Sequence, residues 1–248
     1  SSTLSGSNVL DRAAYKRLAD GLPDIPRWIE TRSMLLAGEG EIIGLSENPL
    51  AFVIRDTHTS FVAVVGRPPE DAIREALHRT GENAHLIVQV DDEPYVAPLV
   101  PRFVPYPAVL HLQSDSTRLP EVPPGTVEFI QHDDLDRAEG IPDALRTELS
   151  TALLHTQVAA ALVDGKPVSF CYAGAQTETL WDISIDTLEP YRRQEYAALT
   201  VAFLIDEMWL RRKRPVWGAE EQNAPSMALA RKLGFSPVDR LFVLRAPD

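Results

Sequence analysis

"EPYRRQEYAALTVAFLIDEMWL", residues 189–210, decides the fold. A strand, "TETLWDISIDTL", leads into it. Ile183, Ile185 and Thr187 alternate there with Asp182, Ser184 and Asp186, giving one apolar and one polar face. The strand ends at Pro190, and a helix begins within the next few residues. A helix that starts directly after a strand turns free backbone N–H groups and the positive end of its dipole toward the turn. That is a ready anion site when the backbone can be approached. Arg192 and Arg193 add positive charge, but Glu195 stands where a glycine would open the backbone to a phosphate. Two readings follow. The acid takes the place of a bound anion and stabilises the first turn by roughly 0.3–1 kcal/mol. Alternatively its side chain turns to solvent, and only backbone N–H groups meet the ligand.

The helix itself is apolar nearly all round, from Ala198 through Val201 and Ile205 to Trp209, so it is expected to pack on more than one side. "RRKR", residues 211–214, complements the negative end of its dipole rather than forming a phosphate site. Upstream, "VEFIQ" reads as a strand and "PDALRTELSTALLH" as a helix. "TQVAAALVDGKPVSFCYAG" reads as a hairpin turning at Asp164-Gly165. Downstream come a strand "RPVWGAE", a helix "NAPSMALARKLG" and a closing strand "PVDRLFVLR". Hairpins and helices alternate, so the fold class is α/β (α+β), with a mixed central sheet flanked by helices.

The N-terminal part, residues 1–113, reads as a smaller α/β domain. It has a helix capped by Ser7 or Asn8, a second helix "IPRWIETRSMLLAGEG", short β-branched strands and the helix "PPEDAIREALHRTG". "SFVAVVGRPPEDAIREAL" is a faint copy of the strand–turn–helix downstream, consistent with a degenerate second copy of the C-terminal fold. Residues 114–125, rich in Ser, Pro and Gly, are expected to link it to a C-terminal domain over 126–248. The alternative is a long surface loop inside one domain.

The net charge of -12 argues against nucleic acid and anionic membrane as partners. The lone Cys171 can make neither an internal disulfide nor a cysteine zinc site and reads as a core thiol. The N-terminal stretch has no apolar run of signal-peptide length, and no apolar run reaches membrane-span length. A cytoplasmic protein, monomeric or homodimeric and without a metal, is expected.

The stretch around residues 185–205 resembles the strand–turn–helix of the GCN5-related N-acetyltransferases, whose signature is Gln/Arg-x-x-Gly-x-Gly/Ala. Arg192 and Ala197 match its ends, and Glu195 replaces its central glycine. "NAPSMALARKLGF" resembles the family's closing helix, with Asn223, Ser226, Leu229, Lys232, Gly234 and Phe235 in register. The resemblance covers about residues 126–246. It implies acetyl-CoA lying in a V-shaped splay between "DISIDTL" and "PVWGAE". Pantetheine would run along Ile185 and Thr187 like an added strand. Pyrophosphate would sit on the turn formed by Arg192, Arg193, Gln194, Glu195, Tyr196 and Ala197, and Asn223 and Ser226 would line the thioester end or the far wall.

Acyl transfer to an amine needs a base for the amine and donors for the oxyanion, and it benefits from an acid for the thiolate. Glu220 and Glu221, ending "PVWGAEE", are the candidate bases, or else solvated loop residues. Ala230 holds the position where family members often carry an acidic Tyr. The expected function is direct transfer of an acetyl group from acetyl-CoA to the amine of a small or amino-acid-like acceptor. A catalytically degenerate CoA-binding or regulatory module is the alternative, favoured by Glu195 and Ala230. A purely structural interaction protein is a third.

Overall fold

The computed structural model describes residues 11–38, 40–45, 48–114 and 117–247. Its helices are α1 (Arg12–Asp20), α2 (Ile29–Ala37), α3 (Glu70–Thr80), α4 (Glu93–Val96), α5 (Asp143–His155), α6 (Tyr196–Leu210) and α7 (Ala224–Lys232). Its strands are β1 (Glu41–Ile43), β2 (Phe52–Arg55), β3 (Phe61–Val65), β4 (His85–Gln89), β5 (Val104–Gln113), β6 (Val127–Ile130), β7 (Val158–Val163), β8 (Lys166–Gln176), β9 (Leu180–Thr187), β10 (Arg214–Glu220) and β11 (Phe235–Arg245). Short 3-10 turns, such as His132–Arg137, carry no periodic signal and are not legible in the sequence. No helix among the described residues is long and apolar enough to cross a membrane.

The chain forms two compact units. The first takes in the described residues up to Asp24, Glu30–Tyr106 and the end from Phe242; the second comprises Ile25–Ile29 and Pro107–Leu241. The divide therefore falls at 106/107, inside β5, rather than across 114–125. That segment is tied to the second unit. Leu119 and Val122 pack on its core, and the Ser114 N–H donates to the Gly234 carbonyl at 3.2 Å. Gly234 holds φ 77, and a Cβ there would run into the Thr117 side chain. Gly234→Ala is expected to cost roughly 1–3 kcal/mol through left-handed strain and this clash. Urea unfolding checks it; a change under 0.5 kcal/mol would show that the segment yields easily.

In the first unit the expected caps Ser7 and Asn8 lie outside the described residues. Asp11 caps α1, its Oδ1 accepting from the Ala14 N–H at 2.7 Å. The Arg32 side chain, 4% exposed, donates to the carbonyls of Ala19 and Leu22 at the end of α1. It also lies 3.7 Å from Asp24. β1, β2 and β3 pair antiparallel, then α3 carries the chain to β4, parallel to β3. Val53, Val62, Val64, Ile73, Leu86 and Val88 form the core beneath. β3 and β4 stay in register over four pairs, Phe61–Val64 against His85–Val88.

The second unit repeats this order on a larger scale. β6, β7, β8 and β9 pair antiparallel in sequence, and α6 then leads to β10, parallel to β9. β5 lies antiparallel on the far side of β10. Asp164 and Gly165 hold φ 51 and 75, the two positive values that a tight hairpin turn requires. α6 buries Ala198, Val201, Leu204, Ile205 and Met208 with Trp181, Ile183 and Trp217 of the sheet. Its apolar character does not mean burial to the end, since Trp209 and Leu210 reach solvent. Cys171 is buried in the same core, and burial, then Asp182, pushes its thiol pKa up. It is a packing residue, not a nucleophile.

Candidate functional site

The parallel pairing of β9 and β10 is short. Leu180, Trp181 and Asp182 face Arg214, Pro215 and Val216, and beyond those three pairs the described strands have no further partners in each other. β9 runs on to Thr187 and β10 to Glu220, so the two strands part and leave a cleft. Residue parity orients its lips. Trp181, Ile183, Trp217 and Ala219 belong to the core under α6. The even positions face the opposite side. There Asp182 lies across Gly174 and Gly218; a Cβ at Gly174 would run into Ser184 Oγ, and one at Gly218 would sit 3.5 Å from the Asp182 carboxylate. Asp186 and Glu220, each four residues beyond the last pair, project to that same side from the two lips.

α6 begins at the wide end of this cleft with no side-chain cap. Glu195 is its N-cap residue and sits at φ 69, ψ -8, the left-handed conformation that a glycine adopts freely. Its carboxylate is drawn away to Lys232 of α7. The first intrahelical bond runs from the Leu199 N–H to the Glu195 carbonyl at 3.1 Å. The N–H groups of Tyr196, Ala197 and Ala198 thus face out of the helix end with the positive dipole behind them. Arg193 also has a positive φ of 60. Two left-handed residues in the span 193–195 fold the turn tightly enough to present these groups together.

The other expected site residues divide between this turn and structural work. Arg192 Nε donates to the Thr187 carbonyl at 3.1 Å, and Gln194 Nε2 to the Pro190 carbonyl at 2.9 Å. Thr187 Oγ1 shares a 2.8 Å hydrogen bond with Ser169, and Ile185 is half-buried against the core. The Tyr196 ring meets Tyr191 edge-on at 6.2 Å. Asn223 caps α7, accepting from the Ser226 N–H at 3.2 Å, and Ser226 Oγ accepts from Trp217 Nε1 at 3.0 Å. Ala230 is fully buried. Glu220 accepts from Gln222 at 3.0 Å, and Glu221 is ion-paired with Arg240.

Sequence reasoning set aside a group that the fold assembles on the even face. Tyr172 stands opposite Ser184 and Phe170 opposite Asp186 in the β8–β9 register. The Tyr172 hydroxyl donates to Glu148 Oε1 of α5 at 2.6 Å. Burial and then that bond push its phenol pKa up, so it keeps its proton. Asp186 keeps an exposed edge, yet its pKa is raised to about 6, first by partial desolvation and then by Glu148, with Arg192 pulling it back. A carboxylate poised near neutrality at the lip of a cleft suits proton transfer. The alternation of "DISID" placed Asp186 on the polar face, but only the fold brings Glu148 to it.

Residues 159–243 match the family model described as GNAT acetyltransferase. No curated protein matched the sequence. Among solved structures, a GCN5-related N-acetyltransferase-like protein from Streptococcus suis superposes with a TM-score of 0.68 at 18% identity, over 94% of this chain and 97% of that one. An acetyltransferase from the GNAT family of Colwellia psychrerythraea gives 0.61 at 12% identity, over 99% of each chain. A tandem GNAT protein from the clavulanic acid biosynthesis pathway gives 0.53 at 14% identity, over 83% of this chain and 78% of that one. At such identities these likenesses speak for the fold.

Proposed function

The chain is a member of the GNAT superfamily, and on that premise we propose that it transfers an acetyl group from acetyl-CoA directly to a small-molecule amine. The observation that carries this reading is the parting of β9 and β10 beside the uncapped start of α6. In that arrangement the pyrophosphate would rest on the N–H groups of residues 196–198, with Arg192 and Arg193 alongside. Pantetheine would lie along Ile185 and Thr187. Asn223 and Ser226 would hold the wall behind it through α7 and Trp217 rather than by contact. The amine would approach from the even face. Asp186 would take its proton, in preference to Glu221, which Arg240 already engages. No metal enters such a transfer. We further place the protein in the cytoplasm, as a monomer or homodimer with no nucleic acid or membrane partner, in keeping with its net charge of -12.

Thermal unfolding with acetyl-CoA tests the donor site. At 100 times its dissociation constant the donor should stabilise by roughly 2.7 kcal/mol. That is about 5–10 °C for a chain of this size. Thiol release with a panel of amines then tests turnover. No shift and no binding heat would end the donor reading. A shift without thiol release would favour the second reading, a CoA-binding or regulatory module without catalysis, for which buried Ala230 and the acid at 195 speak.

Glu195→Gly sharpens the test. The variant removes a like charge from the anion site, worth roughly 1 kcal/mol at a helix N-terminus, or about fivefold in affinity. It also relieves a left-handed non-glycine residue, and the exposed Lys232 pair it sacrifices contributes little. Calorimetry should show tighter CoA binding; unchanged or weaker binding would remove Glu195 as an obstacle.

A further inference from the structure

One strand away from the cleft, on the α7 side of the sheet, lies a separate cavity of about 490 Å³. β5, α7, β11 and the end of β10 border it, and it opens to solvent past Glu221, Arg231 and Arg240. That volume lies within the usual range for small-molecule sites. Its floor is apolar, made of Val109, Met227, Phe235 and Pro237. His111, 4% exposed, lines it from β5. Its Nδ1 lies 3.1 Å from the Trp217 carbonyl, an oxygen that can only accept, so this nitrogen carries the proton. With the proton on Nδ1, Nε2 is left to accept and makes no hydrogen bond among the described residues. Arg231 of α7 also lines the cavity, and its guanidinium makes no hydrogen bond or ion pair among the described residues. Glu221 and Arg240 form an exposed ion pair at the rim.

A ligand that satisfies all of this carries a carboxylate for Arg231, an N–H donor for His111 Nε2 near the negative Glu221, and an apolar body for the floor. We propose that the cavity binds a free α-amino acid with an apolar side chain. The carboxylate pairs with Arg231, since a guanidinium matches a carboxylate in two parallel hydrogen bonds. The ammonium group donates to His111 and faces Glu221, and the side chain packs on Met227 and Phe235. A donor on the ligand would use an acceptor that the fold leaves unpaired on His111. The inference does not depend on acyl transfer, because no residue of the cavity is assigned to the donor cleft or to Asp186.

The three methionines, Met34, Met208 and Met227, provide the readout, since only Met227 borders the cavity. With methyl-labelled methionine in the full chain, L-leucine or L-phenylalanine should shift the Met227 resonance saturably and leave Met34 and Met208 in place. 4-Methylpentanoate, without the ammonium, and isoamylamine, without the carboxylate, should each bind at least fivefold more weakly than leucine. Arg231→Ala, an exposed position, should weaken leucine binding at least fivefold while circular dichroism stays unchanged. The proposal is overturned if neither amino acid shifts Met227 saturably. It is equally overturned if 4-methylpentanoate or isoamylamine binds as well as leucine, or if Arg231→Ala binds as the parent does. A saturable shift at Met227 that survives none of the three changes supports it.

Discussion

Asp186→Asn is expected to lower kcat/KM for amine acetylation by about 10²–10³, with acetyl-CoA binding preserved, since a positioned general base contributes about that much. The substitution keeps the shape of the side chain and its place on the even face of β9, but removes the basic oxygen. The pH profile is the more discriminating readout. Asp186 titrates at about 6. The parent's kcat/KM should rise through that pH, and the variant should lose this limb. Stability supplies an independent check of the same group. Its folded pKa is raised above the ordinary 3.8. Folding therefore favours the protonated form, and that contribution is present at low pH and fades as pH climbs from about 4 to 6. Asp186→Asn should flatten this part of the stability curve and be at least as stable as the parent at pH 8. Full activity with an unchanged pH profile would move the base elsewhere, with Glu220 on the opposite lip the next to test.

Arg32→Ala is expected to destabilise the protein by about 3 kcal/mol, because it strips partners from several buried groups at once. The guanidinium closes the end of α1 by donating to Ala19 and Leu22, and it stands beside Asp24. A cation at that end also meets the negative pole of the helix. Arg32→Met restores the packing of the stem but none of the hydrogen bonds, so it should recover less than half of the loss. Urea midpoints for the two variants separate packing from hydrogen bonding. A loss under 1 kcal/mol for Arg32→Ala would mean that water reaches these carbonyls.

Much of the second unit was legible from local chemistry. Asp164-Gly165 announced its hairpin because two positive φ angles in a row leave few residue choices. "IDTL" followed by an apolar helix announced a strand and crossover, and the mixed sheet followed from their order. The donor turn was readable in place but not in detail. Nothing local says that Glu195 adopts a left-handed conformation or that Lys232, far along the chain, holds its carboxylate. The acid cluster was half readable. The period-2 pattern put Asp186 on the polar face, whereas its neighbour Glu148 comes from α5, and sequence distance hides that contact. The segment 114–125 has the composition of a linker, yet Leu119 and Val122 are enough to fasten it to the second unit. Prolines and serines report local stiffness and polarity, and two apolar side chains decide where the chain lies.

The Glu195–Lys232 pair gives the donor turn one more property. Before any ligand arrives, the lysine already holds the Glu195 carboxylate, whose charge stays near the anion site and offsets part of that of Arg192 and Arg193. Added salt screens the repulsion between that carboxylate and a bound anion as well as the attraction of the arginines. Donor affinity should therefore decline only gently with ionic strength, and the Glu195→Gly variant, with its lysine exposed, should bind more tightly in dilute buffer yet lose that advantage as salt is raised.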